Sequence, residues 1–198
     1  MTAISKLITP SHISATVPDW SREKFNCWWV PNGQLLKSIR EYQKWQAYGG
    51  KIGRFFQMWN LLQYRFWSIV TGAEIPINGK IQGGLLIPHP NGIVIDSEAD
   101  IGPNCLIFQQ VTIVKGVKIG GHVDIGAGAK IIRPVTIGDH AKIGANAVVI
   151  CDVPAGATAV GVPARIISHV ESNSQLQPKQ RKNLAAATAI ASSGKLVY

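Results

Sequence analysis

Cysteine is scarce in this 198-residue chain: Cys27, Cys105 and Cys151 are the only three, and no two stand in a C-x-x-C spacing. An odd, widely spaced set of thiols argues against a disulfide framework and against a zinc-thiolate centre. Long apolar runs are lacking too. The most aromatic stretch, residues 51–70, is broken every few positions by Arg, Gln or Asn, whereas a membrane span needs about 20 apolar residues. The opening MTAISKLITPSHISA contains no apolar h-region, so no secretory leader is expected and the expected location is cytoplasmic. Charged residues are only 16%, and no five like charges are contiguous. With no nucleic-acid motif present, the net charge of +9 does not indicate a nucleic-acid partner. It is compatible with anionic neighbours such as phosphate groups, acidic polysaccharide or a membrane surface.

What is present is a globular composition, 46% hydrophobic, with an uneven layout. Residues 1–73 hold 9 basic and 3 acidic side chains, residues 74–165 hold 7 of each, and residues 166–198 hold 4 and 1. All six Trp precede residue 68. These shifts predict an N-terminal helical segment over 1–73, a central domain over 74–166 and a C-terminal tail over 167–198.

The central domain carries the strongest signal. Every sixth residue from Ile95 to Val149 is aliphatic, ten positions without a miss. Four residues after each comes a small or β-branched side chain, from Ala99 and Cys105 through Ala147 to Val153. The phase extends upstream through Ile75, Ile81 and Ile87, and a single eight-residue step, Ile87 to Ile95, interrupts it. A helix would rotate such residues around its surface, and plain hairpins would not keep one spacing. A period of six fits one flat face of a prism: a short strand, then a corner. Three faces close a coil, and coils stack in parallel. The fold class is therefore mainly β, a parallel β-helix solenoid of hexapeptide repeats.

The flanks are candidate caps for the exposed solenoid ends. Residues 33–47 read as an amphipathic helix with Leu35, Leu36, Ile39 and Tyr42 on one side and Asn32 as N-cap. Gly49-Gly50 breaks it, and residues 51–70 read as a second helix. That helix either covers the first coil or docks on a membrane surface or partner through Trp59, Phe66 and Trp67. After Arg165 the chain is expected to leave the solenoid for an irregular polar tail, in which LAAATAIA could form a short helix.

Five histidines are available for chemistry. His12 and His169 lie outside the repeat. His122 and His140 occupy the same hexad position 18 residues apart, so they should stack at one corner on successive coils. His89 sits inside the one irregular step, in GGLLIPHPNGIVI. A strict repeat that breaks once marks the place where the backbone leaves the prism, and such places concentrate function.

Residues 74–167 resemble the hexapeptide-repeat acetyltransferases, within them the serine acetyltransferase branch. The resemblance rests on the eight-residue step with His89, on Gln110-Val111-Thr112, on IGAGAK at 125–130, on KIGANAVV at 142–149 and on DVPAGATAVGVPARI at 152–166. It implies a left-handed β-helix and a homotrimer with acetyl-CoA bound in grooves between neighbouring subunits, and no metal. It implies direct acetyl transfer to a hydroxyl, with His89 as general base. In the family an Asp fifteen residues earlier orients that base; here the position is Glu74. A histidine, with its ordinary pKa near 6.5, suits a reaction in which the attacking alcohol must shed a proton. The resemblance further implies that backbone amides near Ala127 and Ala145 hold the pantetheine arm, and that Lys142 and Arg165 meet the nucleotide phosphates.

Four features depart from the branch. The loop that carries an acceptor-binding His/Arg pair after the VTLGG-like stretch is absent, since VTIV runs directly into KGVKIGG. Pro88 stands where an Asp precedes the catalytic His, the N-terminal segment is short, and the chain ends Leu-Val-Tyr. The acceptor is thus open between L-serine and a sugar hydroxyl, as in polysaccharide biosynthesis. A γ-carbonic-anhydrase-like zinc lyase would need a close His pair that is missing, and a non-catalytic scaffold would bind no CoA.

Overall fold

The computed structural model describes residues 13–24 and 29–167. From residue 74 onward the chain winds into a parallel β-solenoid of about four turns. Its first face stacks β2 (Val94–Ile95), β5 (Thr112–Ile113), β8 (Lys130–Ile131) and β11 (Val148–Val149). The second stacks β1 (Lys80–Ile81), β3 (Asp100–Ile101), β6 (Lys118–Ile119) and β9 (Thr136–Ile137). The third stacks β4 (Leu106–Ile107), β7 (Asp124–Ile125), β10 (Lys142–Ile143), β12 (Thr158–Val160) and β13 (Arg165–Ile167). Most strands are only two residues long because a side chain that points in must be followed by a corner. The register is strict: Ile95 pairs with Ile113, Ile113 with Ile131 and Ile131 with Val149.

The predicted inward positions are buried. Ile101, Ile107, Ile125, Ile131 and Ile137 are fully sequestered, and so are the small partners Cys105, Val111, Val123, Ala129, Ala141 and Ala147. Each hexad therefore sends two side chains inward, one long and one short, which fill the narrow prism without overpacking. Truncating a buried Ile here would leave a cavity walled by backbone that cannot collapse. Two edges of the prism turn through left-handed backbone. One carries Gly92, Gln110, Gly128 and Asn146, the other Gly84, Asn104, His122, His140 and Gly156, all at positive φ. Asn tolerates this conformation best among non-glycine residues; His does so less readily.

The helices run over α1 (Pro31–Tyr48) and α2 (Gly50–Thr71). α1 begins earlier than expected. Val30 is its N-cap and Pro31 occupies the first turn, where the missing N–H costs nothing. Asn32 is not the cap; its Nδ2 donates to Ile87 O at 2.7 Å. Leu35, Leu36 and Ile39 join the solenoid core. Gln43 donates to Ile77 O at 2.9 Å and Tyr64 to Ile75 O at 2.9 Å, so the helices satisfy carbonyls of the first coil that have no coil beneath them. Trp67 is buried against Trp29 and not outward-facing.

The other end closes by reversal. β13 returns antiparallel to β12, with Val160 opposite Arg165, so Arg165 starts a final strand instead of a departing tail. The expected helix in LAAATAIA lies outside the described residues.

One element had no sequence signature. Residues 13–24, which include a 3-10 turn over Trp20–Glu23, lie along the edge between the second and third faces. Asn104, wholly buried, fastens them. Its Nδ2 donates to Ser14 O at 2.7 Å and Val17 O at 2.8 Å, and its Oδ1 accepts from Asp19 N at 2.7 Å. Glu23 pairs with Arg40 of α1 at 2.9 Å and accepts from Leu85 N at 3.1 Å. Replacing Asn104 by Ala removes three hydrogen bonds and places Ala at positive φ. We expect a loss of about 3 kcal/mol in chemical denaturation, with proteolytic cleavage appearing first within residues 13–24.

Candidate active site

Hydrogen bonds locate the residues that break the repeat. Asn91 O accepts from Gln110 N, Gln109 O from Gly128 N and Ala127 O from Asn146 N, at 2.8–2.9 Å. Asn91, Gln109, Ala127 and Ala145 thus form one column up the edge between the third and first faces. Ile93 N closes the corner on Pro90 O just as Ala129 N does on Gly126 O. The two additional residues are therefore Pro88 and His89, bulged outward from this edge. Pro88 brings no N–H to the ladder, and Asn32 holds the carbonyl just before it. His89 is exposed.

Glu74 lies on the first face, in a parallel bridge with Val94. Gly92 N donates to Gly72 O and Glu74 N to Ile93 O, each at 2.8 Å, so the segments bearing Glu74 and His89 meet at the same edge. Their side chains are both exposed and no hydrogen bond joins them. Farther up, the amide N–H groups of Ala127 and Ala145 donate to no acceptor among the described residues. Lys142 is exposed on β10, whose chain runs into the Ala145 corner, and Arg165 is exposed on β13, opposite the end of β12. All six residues singled out from the sequence lie along this edge or on a strand that borders it.

Three further residues line the edge and were not read from the sequence as part of the site. Asn32 anchors the bulge. Gln109 Oε1 is buried with no hydrogen-bond partner among the described residues. Lys130 Nζ donates to Gln110 O and, at 3.1 Å, to Thr112 Oγ1, which ties the first face to the corner. Their side-chain contacts cross coils or come from a separate helix, so spacing alone did not flag them.

The opposite face, the second, is a polar wall. A groove of about 610 Å3 there is lined by Lys118, Thr136 and Asp139 together with Ala15 of the strap. It holds none of the candidate residues. No group of three or more His, Cys, Asp or Glu side chains among the described residues could hold a metal ion. Burial pushes the Cys105 thiol up to about 11, which leaves no thiolate nucleophile in the core.

His122 and His140 do stack at one corner, on the strap edge and away from His89. Their Nδ1 atoms are 2.8 Å apart and their rings meet edge to face. One Nδ1 must donate and the other accept, so the contact cannot survive with both rings protonated. Burial lowers the His122 pKa from its ordinary 6.5, so the unfolded chain takes up the proton first as pH falls. Stability contributed by this ring is complete above pH 6.5 and is lost as pH drops below it. Melting temperatures from pH 8 to 5 should show this loss, and His122→Asn, which suits the positive φ, should flatten it.

The fold and edge define a class, the hexapeptide-repeat solenoid with a single histidine-bearing register break. Comparison with known proteins narrows it. No family model matches the chain. Over 107 residues, half of this chain, it is 39% identical to serine acetyltransferase of Synechococcus elongatus and 42% identical to that of Helicobacter pylori strain J99. The match spans 44% and 63% of those two relatives, so the chain covers about half the length of the curated proteins it resembles. Among solved structures, a soybean serine acetyltransferase complexed with serine aligns over 70% of this chain and 58% of its own, at 33% identity and a TM-score of 0.58. A serine acetyltransferase in complex with coenzyme A from Brucella abortus aligns over 73% and 59%, at 26% identity and 0.60. In sequence over half of its length, and in fold over about seven-tenths, the chain is similar to serine acetyltransferases, and the likeness supports the left-handed coil.

Proposed function

We propose that this protein is an acetyl-CoA-dependent O-acetyltransferase that uses His89 as general base on a small hydroxyl acceptor. The observation that carries the reading is the edge itself. Among the described residues, the one bulged histidine and the undonated backbone amides at Ala127 and Ala145 follow one another along it, and the exposed cations Lys142 and Arg165 stand on strands that border it. Acetyl-CoA fits this donor set. The pantetheine arm offers amide carbonyls to the Ala127 and Ala145 N–H groups, and the nucleotide phosphates suit the two cations. The orphaned Gln109 Oε1 adds an acceptor for an amide N–H.

His89 takes the acceptor's hydroxyl proton as its oxygen attacks the thioester carbonyl. The C–S bond breaks, and the proton passes to the departing thiolate. Glu74, whose segment meets that of His89 at the same edge, accepts from the other ring N–H and holds the tautomer. Transfer is direct, so no covalent enzyme intermediate is required. As the resemblance implies, the working unit is a homotrimer, with the edge of one subunit facing its neighbour.

Two acceptors compete. Relatives named for serine favour L-serine. A sugar hydroxyl is favoured by the tight corner after Thr112–Ile113. Residues 114–117 pass straight into Lys118–Ile119, with no inserted loop to meet an amino-acid carboxylate.

His89→Ala should lower acetyl transfer about 100- to 10,000-fold while mass by light scattering stays that of the trimer; full activity in the variant would remove His89 from this role. Release of free CoA thiol, followed with L-serine and separately with sugar nucleotides and oligosaccharides, should rise with one acceptor class alone.

A further inference from the structure

α2 is built inside out. The residues it buries are Gly53, Asn60, Trp67 and Thr71. Asn60 and Thr71 bond to their own helix, at Phe56 O and Trp67 O, and so contribute little grip on the protein. The outward residues are the large apolar ones: Phe55 is 69% exposed, Trp59 56%, Leu62 60%, Phe66 54% and Ile69 82%. At 100° per residue these five fall within an arc of about 80°. Lys51, Arg54 and Arg65 border that arc and are exposed, and the helix contains no acidic residue.

We propose that this face docks on an anionic lipid surface, with α2 lying in the plane of the interface. The charge pattern chooses the occupant. A two-fold contact with a second copy would set this basic face, on a helix without an acidic residue, against its own like. Among the described residues, Glu23 is paired with Arg40 and Glu41 with Lys44, Asp19 is bonded to Ser21, and Glu74 lies beyond the end of α2, at the edge of the candidate active site. Anionic headgroups supply the missing charge, and acyl chains take Phe55, Leu62, Phe66 and Ile69, with Trp59 at the boundary. No helix among the described residues is long and apolar enough to cross a membrane, so the contact is peripheral. It stands apart from the acetyl-transfer reading and does not rest on it.

The test is co-sedimentation of the full chain with phosphatidylcholine vesicles and with vesicles enriched in phosphatidylglycerol. The expected result is binding to the anionic vesicles that weakens as salt rises, with little binding to phosphatidylcholine. Arg54→Gln with Arg65→Gln should weaken it about 30-fold. Leu62→Glu with Phe66→Glu should abolish it, and Ile69→Ser, at the most exposed site, should weaken it without touching the packed face. Circular dichroism checks that each variant keeps its β-structure. Equal binding to both vesicles, or none to either, overturns the proposal. So does a lipid-free oligomer that Leu62→Glu with Phe66→Glu dissociates, since a second copy would then own the face.

Discussion

Everything in this molecule depends on the parallel register of one coil on the next. An isoleucine sits over an isoleucine on each face, and the backbone between them pairs without a slip. The inward ladder supplies the apolar burial, and its regularity fixes where each corner falls. Since a corner recurs at the same height on every coil, side chains and amides that are far apart in sequence form columns. The candidate site is such a column: it needs no pocket-forming loops, only the repeat and one deliberate fault in it.

The two additional residues at Pro88 and His89 are tolerated because they bulge at an edge and not on a face, where they would have shifted the ladder. Below them the helices take over the work of a missing coil. Asn32, Arg40, Gln43 and Tyr64 all donate to backbone carbonyls of residues 75–87. The same helices that seal the solenoid's first coil thus hold the base of the bulge. Their outer surface is left over from that task, which is why α2 can keep its large apolar side chains turned away from the protein.

Much of this was legible in the sequence. A period of six survives any alignment error and names the inward residues one by one, from Ile75 to Val149. The break at His89 was visible for the same reason, and so was the stacking of His122 on His140. What could not be seen depended on contacts with no period. The buried Asn104 looks like an ordinary corner residue, and only the fold shows it holding a strap from 90 residues away. Asn32 resembled an N-cap because an amide beside a helix start usually is one; here Pro31 and Val30 serve the helix and the amide reaches the solenoid. The second helix was open between covering the first coil and turning Trp59, Phe66 and Trp67 outward, because one apolar helix resembles another until the face it buries is known; Trp67 proves to be on the buried side. Arg165 was placed at the point of departure, although the chain reverses at that point and adds a strand.

The strap held by Asn104 also sets an order of events. Contacts within the solenoid join residues about 18 apart, so coils can form one upon another with little loop entropy at each step. The Asn104–Ser14 bond closes a loop of 90 residues and cannot form until the second coil has presented its corner. On loop entropy the strap is expected to arrive late in folding. It behaves as a latch thrown over a finished spool, and the earliest part of the described chain is among the last to be secured.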